Sequence, residues 1–252
     1  MTTAKKHSVF HRTQLLIGEE ALKRLTETHV IVFGLGGVGS WCAEALIRSG
    51  VGRLTLVDDD VVCETNINRQ MQATSKTVGQ FKVEALKERL LEIHPDAEIM
   101  TLQKVYTQST REEFNLSSYD YVIDAIDSLS HKVDLIASAM EIGVTLFSAM
   151  GAACKLDATS IRVDSIWKTY GCKLAKFVRR RLRHYGATGD CLCVYSKDLF
   201  SPPESAEPAV EDGDAWSETS PLVNGSMVHM TGVFGFNLAG LVVQDVVHKT
   251  SI

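Results

Sequence analysis

The chain has 252 residues and a mass of 27.7 kDa, room for one large α/β domain or two small ones at roughly 150 residues per domain, and too much for a peptide or a fibre. With 45% hydrophobic and 23% charged residues, 18 glycines and 5 prolines, it is composed like an ordinary soluble globular protein, unlike a disordered or collagen-like one. The net charge of -5 argues against nucleic-acid binding over the whole surface, because neutralising phosphates needs an excess of Lys and Arg. A local basic face stays open.

The N-terminal stretch MTTAKKHSVFHRTQ has two lysines and no apolar run behind them, so a signal peptide is not expected and a cytoplasmic location is. Residues 1–28 read as a helical arm. From residue 29 to 150, short β-rich runs alternate with helical stretches, the pattern of a parallel sheet wound by crossover helices. HVIVF (29–33) is a buried strand that runs into GLGGVG and a helix from about Val38 to Arg48, and RLTLV (53–57) is the second strand. A helix from about Gln80 to Ile93 carries Val83, Leu86, Leu90 and Ile93 at helical spacing and stops before Pro95. Strands follow at 98–105, 119–126 and 144–150, with a helix near Lys132–Ile142 before the last of them.

The second half, 151–252, divides by charge. Between Lys168 and His184 the cations Lys168, Lys173, Lys176, Arg179, Arg180, Arg181 and Arg183 occur with no Asp or Glu among them. Residues 198–218 invert the pattern with Asp198, Glu204, Glu207, Glu211, Asp212, Asp214 and Glu218, and Pro202, Pro203 and Pro208 make that stretch a loop. The uncharged run from Met227 to Gln244 is about as long as a membrane span needs. His229, Thr231, Asn237 and its glycines favour a buried helix or helix pair, so no stable span is expected.

Gly34, Gly36, Gly37 and Gly39 lie where a strand becomes a helix, letting backbone N–H groups meet a phosphate at the positive helix end. Asp58 ends the second strand, near the roughly 20-residue offset at which an acid meets a ribose hydroxyl. These features alone suit NAD or FAD as well as ATP, or glycines that serve only tight packing. The run VDDDVVCETNINRQ then places Asp58, Asp60, Asn66, Asn68 and Arg69 directly after that strand, and Lys82 opens the next helix. Hydride transfer gains little from such cations, whereas a triphosphate losing pyrophosphate develops charge that they stabilise. Taken singly, Arg69 and Lys82 could be solvated surface charge. In DAIDS, Asp124 and Asp127 stand three apart at a strand end, and Asp127 is the candidate ligand for Mg2+. A helix N-cap is the other role open at this point, and Ser128 is the residue suited to fill it.

Together, GLGGVG, D-x-D-x-V-x-x-x-N-x-N-R-Q, Lys82 and the D-x-x-D of DAIDS resemble the ThiF/MoeB/HesA adenylating superfamily. The resemblance implies a single adenylating domain with a Rossmann-like, largely parallel α/β sheet flanked by helices and extended by a mixed second half. It implies ATP and a carboxylate giving an acyl-adenylate, with Asp58 on the ribose, Asn66 and Arg69 on phosphates, Lys82 on the triphosphate and Asp127 on magnesium. Asp60, Asn68 and Ser128 join this nucleotide site. Arg12, in FHRTQLLIGEEAL, resembles an arginine inserted into the partner's site, which implies a homodimer.

Within the superfamily, no C-x-x-C zinc pair is present, DAIDS has Ser128 in place of Asn, and the second half resembles the tRNA threonylcarbamoyladenosine dehydratase branch. That branch implies dehydration of the modified nucleoside through its threonyl carboxylate. The basic stretch, with Lys173, Lys176, Arg179, Arg180, Arg181 and Arg183, would then meet the tRNA anticodon region. A monovalent cation, Na+ or K+, and a cysteine-desulfurase sulfur-transfer system stay open as further partners. The main alternative is activation of the C-terminus of a ubiquitin-like or sulfur-carrier protein. Cys191 and Cys193 could relay sulfur, but CLCVYS alternates like a strand, where cysteines are commonly core filler.

Overall fold

A computed structural model describes residues 8–200 and 225–250. Residues 201–218 of the acidic stretch lie outside them. A helical arm of α1 (His11–Ile17) and α2 (Glu19–Glu27) leads into β1 (His29–Phe33), α3 (Gly39–Ser49), β2 (Arg53–Val57), α4 (Lys82–Ile93) and β3 (Glu98–Leu102). Then come β4 (Tyr121–Asp124), α5 (Leu129–Ile142), β5 (Thr145–Ala149), β6 (Ile161–Ser165), α6 (Lys173–His184), β7 (Leu192–Ser196) and α7 (Val228–Thr250).

The strands form one seven-stranded sheet in the order β3-β2-β1-β4-β5-β7-β6. Every pairing is parallel except β6 with β7, which is antiparallel. The expected α/β architecture with a mixed second half is present. Strand order reverses between β1, which pairs with β2, and β4, so the crevice for a ligand opens at their carboxyl ends.

β1 shows why the sheet is buried on both sides. Val30 and Val32 pack with α3, α4 and α7, while Ile31 and Phe33 point the opposite way, to the face covered by α5 and α6. Each such buried side chain contributes about 1.5–3 kcal/mol of transfer free energy. On the second face the rings of Phe33, Tyr106 and Phe114 meet at 5.1–5.4 Å between centroids.

Several boundaries differ from the sequence expectation. β4 stops at Asp124 because the Asp124 carboxylate accepts the Ile126 N–H at 3.1 Å and turns the chain. α5 starts at Leu129, ahead of the expected Lys132, and α4 starts at Lys82 after a bridge between Val61 and Phe81. The apolar run after Met227 is one continuous helix, α7, long and apolar enough to cross a membrane by length and composition, yet half buried within the fold. Met230, Phe234, Leu238, Val242 and Val246 of that helix join the core against α3.

Candidate active site

β1 must turn into α3 within five residues, and glycine makes this possible. Gly34 adopts φ +83°, and a Cβ there would stand 2.7 Å from the Ala125 carbonyl oxygen; at Gly39 it would stand 1.8 Å from that of Gly34. A Cβ at Gly36 would meet Gln70 Nε2 at 4.0 Å, and Gly37 lies against Thr231 of α7. The start of α3 thereby presents unpaired amides and the positive end of its dipole to the crevice.

Polar side chains hold this loop from behind. Ser40 Oγ donates to the Gly36 carbonyl at 2.7 Å, and Gln72 Nε2 donates to the Leu35 carbonyl at 2.8 Å. Trp41 Nε1 donates to the Arg69 carbonyl at 3.0 Å, tying the glycine loop to the NINRQ segment. Sequence reasoning missed Ser40, Trp41 and Gln72. Their signal was weak: polar atoms in segments otherwise read as apolar helix or loop.

Asp58 faces the same loop. One of its oxygens accepts the Leu35 N–H at 2.6 Å, and the other accepts the Asp60 N–H at 3.0 Å. Burial raises its pKa above the usual aspartate range, and the Lys82 ammonium and these two amides offset that only in part. Lys82 Nζ sits 2.6 Å from Asp60 Oδ2 and 3.7 Å from Asp58 Oδ1, with its side chain only 8% exposed. Lys82 is therefore no solvated surface charge. A long chain bends it back from α4 into the crevice, where two carboxylates hold it.

The NINRQ residues are more tightly engaged than their spacing suggested. Asn66 turns on its own loop, accepting the Cys63 N–H at 3.0 Å. Asn68 Nδ2 donates to the Ser226 carbonyl at 3.0 Å, while its oxygen accepts Arg69 Nη1 at 2.9 Å. Arg69 also donates to the Thr65 carbonyl at 2.9 Å. These bonds engage Nη1 of Arg69 and leave its remaining guanidinium donors without a hydrogen bond among the described residues.

At DAIDS the two aspartates separate. Asp124 is sealed from solvent and paired with Lys132, whereas Asp127 is exposed, with no hydrogen bond or ion pair from other described residues. A free carboxylate at the strand edge fits a hard divalent cation, which prefers oxygen ligands. Ser128 occupies the N-cap position of α5, but its hydroxyl meets that of Ser130 at 3.2 Å and makes no cap bond.

Arg12 is exposed on α1, which packs by its leading Phe10 on His94, at the C-terminal end of α4, with ring centroids 4.9 Å apart. That end is opposite the glycine loop, so Arg12 is remote from the crevice of its own chain. On α6, Lys173, Lys176, Arg180 and Arg183 are exposed, and their 3-4-3 spacing lines them along one face. Arg180 lies over the Phe177 ring and Arg183 over the Trp167 ring. Arg179 instead turns inward to the Thr169 hydroxyl, and Arg181 is half-buried. Cys191, just before β7, and Cys193 within it are buried with sulfurs 3.8 Å apart, and burial pushes the Cys193 thiol well up.

Comparison with known proteins agrees with this geometry. The ThiF family model matches residues 10–249. The tRNA threonylcarbamoyladenosine dehydratase of Bacillus subtilis is 39% identical over 246 residues, 96% of either chain. The crystal structure of Escherichia coli tRNA N6-threonylcarbamoyladenosine dehydratase, TcdA, in complex with ATP superposes with a TM-score of 0.85 at 33% identity, covering 96% of this chain and 95% of that one. Its complex with AMP gives the same TM-score at 32% identity and 99% coverage of both chains. With its glycine loop, its carboxylate-held lysine and a match along nearly its whole length, the chain belongs to the ThiF family.

Proposed function

We propose that this chain uses ATP to dehydrate threonylcarbamoyladenosine in tRNA to its cyclic oxazolone form. The threonyl carboxylate attacks the α-phosphorus of ATP, and pyrophosphate leaves. The carbamoyl oxygen then attacks the activated carbonyl carbon, a carbamoyl N–H gives up its proton, and AMP departs with the former carboxylate oxygen. The nucleoside loses the elements of one water. Because both reacting groups belong to one nucleoside, high effective concentration replaces a protein nucleophile.

One observation carries this reading: an enclosed ammonium, Lys82, beside Asp58 at a glycine loop, in a chain matching named dehydratases from end to end. In this reading the glycine loop amides and Asp58 bind the nucleotide, and Asp60, Asn66, Asn68 and Arg69 shape and charge the phosphate pocket. Lys82 neutralises charge as pyrophosphate leaves. Asp127 is the residue that would hold Mg2+, which supplies further neutralisation of the phosphates. The remoteness of Arg12 from its own crevice supports a homodimer in which it serves the partner's site. The exposed cations of α6 support contact with the tRNA anticodon arm, whose phosphates they would neutralise. A tRNA substrate also supports a cytoplasmic location.

The decisive experiment is mass spectrometry of nucleosides after incubating the protein with ATP, magnesium and tRNA carrying threonylcarbamoyladenosine. Loss of one water from that nucleoside is the expected result. No change in the nucleoside, with AMP formed instead on a small carrier protein ending in Gly-Gly, would establish the other adenylating chemistry of the family.

A further inference from the structure

The loop that carries Asp127 joins Asp124, the last residue of β4, to α5. Its ends are tied together by a group that the adenylation chemistry does not use. Lys132, one turn into α5, is completely buried, as is Asp124, and its Nζ donates to Asp124 Oδ2 at 2.7 Å and to the Ala149 carbonyl at 2.9 Å. Ser148 of β5 donates to the same Asp124 oxygen at 2.5 Å. The other Asp124 oxygen accepts the Ile126 N–H, and the Lys132 backbone N–H donates to the Ser128 carbonyl at 3.0 Å. The four loop residues are therefore bracketed by two charged side chains eight positions apart, joined to each other and to the end of β5.

Removing two charges from water costs more than their attraction commonly returns, and apolar residues of the same size would join these elements at least as well. What an ion pair adds is direction: each hydrogen bond fixes one atom against another. We infer that Asp124 and Lys132 form a clasp whose task is to hold Asp127 at the crevice, making both positioning residues for the divalent cation and Ser148 their support. This rests on the proposed magnesium role of Asp127.

The test uses the full chain with Mn2+ as the probe and a non-hydrolysable ATP analogue, Mn2+ affinity being read by electron paramagnetic resonance. Hydrogen exchange of the Ile126 amide is followed on the same samples, with the β1 amides as the measure of global stability. In the charge-free pair Asp124→Asn/Lys132→Met, Mn2+ affinity should fall about tenfold, and Ile126 should exchange faster while β1 does not. Ser148→Ala, which removes one bond and no charge, should shift both readouts less and in the same direction, and it serves if the double variant fails to fold. Unchanged Mn2+ affinity and Ile126 exchange in a folded variant would overturn the clasp. Asp127→Asn separates the two ideas: if it leaves Mn2+ affinity intact, the magnesium reading falls, and the Ile126 exchange still decides whether the clasp orders the loop.

Discussion

Lys82 Nζ and Asp60 Oδ2 stand 2.6 Å apart, yet the lysine side chain is 8% exposed and the aspartate 66%. The cation is enclosed and its partner lies open to solvent, so in the proposed reaction a triphosphate would compete with Asp60 for an ammonium already in place. Lys82→Ala should lower the rate of ATP–pyrophosphate exchange about 100-fold, while the thermal unfolding midpoint moves little. An exchange rate within threefold of the parent would remove Lys82 from the chemistry.

Asp58 gives the reaction an acid limb. If Asp58 binds the ribose as proposed, then as pH falls through its raised pKa the carboxyl protonates and loses its accepting capacity, so KM for ATP should climb at a higher pH than an ordinary aspartate would cause. Asp58→Asn should flatten that limb. For stability the sign is opposite to that of a salt-bridged acid. With the folded pKa above the unfolded one, the Asp58 contribution is fully present below the unfolded pKa and is lost as pH rises through the folded value.

The exposed face of α6 makes a salt-dependent prediction. Replacing Lys176, Arg180 and Arg183 by Ala should weaken tRNA binding and flatten the slope of log affinity against log salt by about 2, at roughly 0.7 per phosphate contact. ATP affinity should stay the same. Arg179→Ala should matter less for RNA because its guanidinium is bonded to Thr169 inside the fold.

Arg12 invites a complementation test. Arg12→Ala and Lys82→Ala should each be strongly impaired alone, and a mixture allowed to exchange subunits should regain activity, since one of its two sites would combine an intact Lys82 with an intact partner arginine. A mixture as inactive as its components would argue against service in trans.

The buried thiols of Cys191 and Cys193 are expected to be dispensable for chemistry. Cys191→Ala/Cys193→Ala should keep dehydrating tRNA while losing about 1–2 kcal/mol of stability from the cavities left behind. Abolished turnover in a folded double variant would reinstate a sulfur-based step.

Much of this was legible in advance because periodic patterns and local turns are written in consecutive residues. HVIVF into GLGGVG reads as a strand that turns into a helix, and in the structure Gly34 and Gly39 supply the close approaches that turn requires. What escaped was pairing at a distance. From the sequence Lys132 is only the first residue of an expected helix, since nothing in its neighbours announces Asp124 eight residues earlier or Ser148 on another strand. Asn66, Asn68 and Arg179 showed the converse: their residue types suggested ligands, and an amide, a carbonyl and a hydroxyl of the chain itself, near for Asn66 and 158 positions away for Asn68, claimed part of their bonding capacity. The second half was readable by charge, but only the helix geometry of α6 separated its solvent-facing cations from those turned inward.

The packing of α7 on α3 has a consequence for how the protein is made. Val32, Leu46 and Leu54 emerge early from the ribosome, but the apolar surface they build is covered by Met230, Phe234, Leu238 and Val242, translated almost 200 residues after the first of them. At the roughly 5–20 residues per second of synthesis, that surface waits about 10–40 seconds for its cover. A chain stalled or cleaved before α7 would retain a glycine loop and a sheet, but with a raw apolar flank. Nascent and truncated forms that lack α7 are therefore natural clients for chaperones and proteases, and the arrival of α7 is what closes that flank.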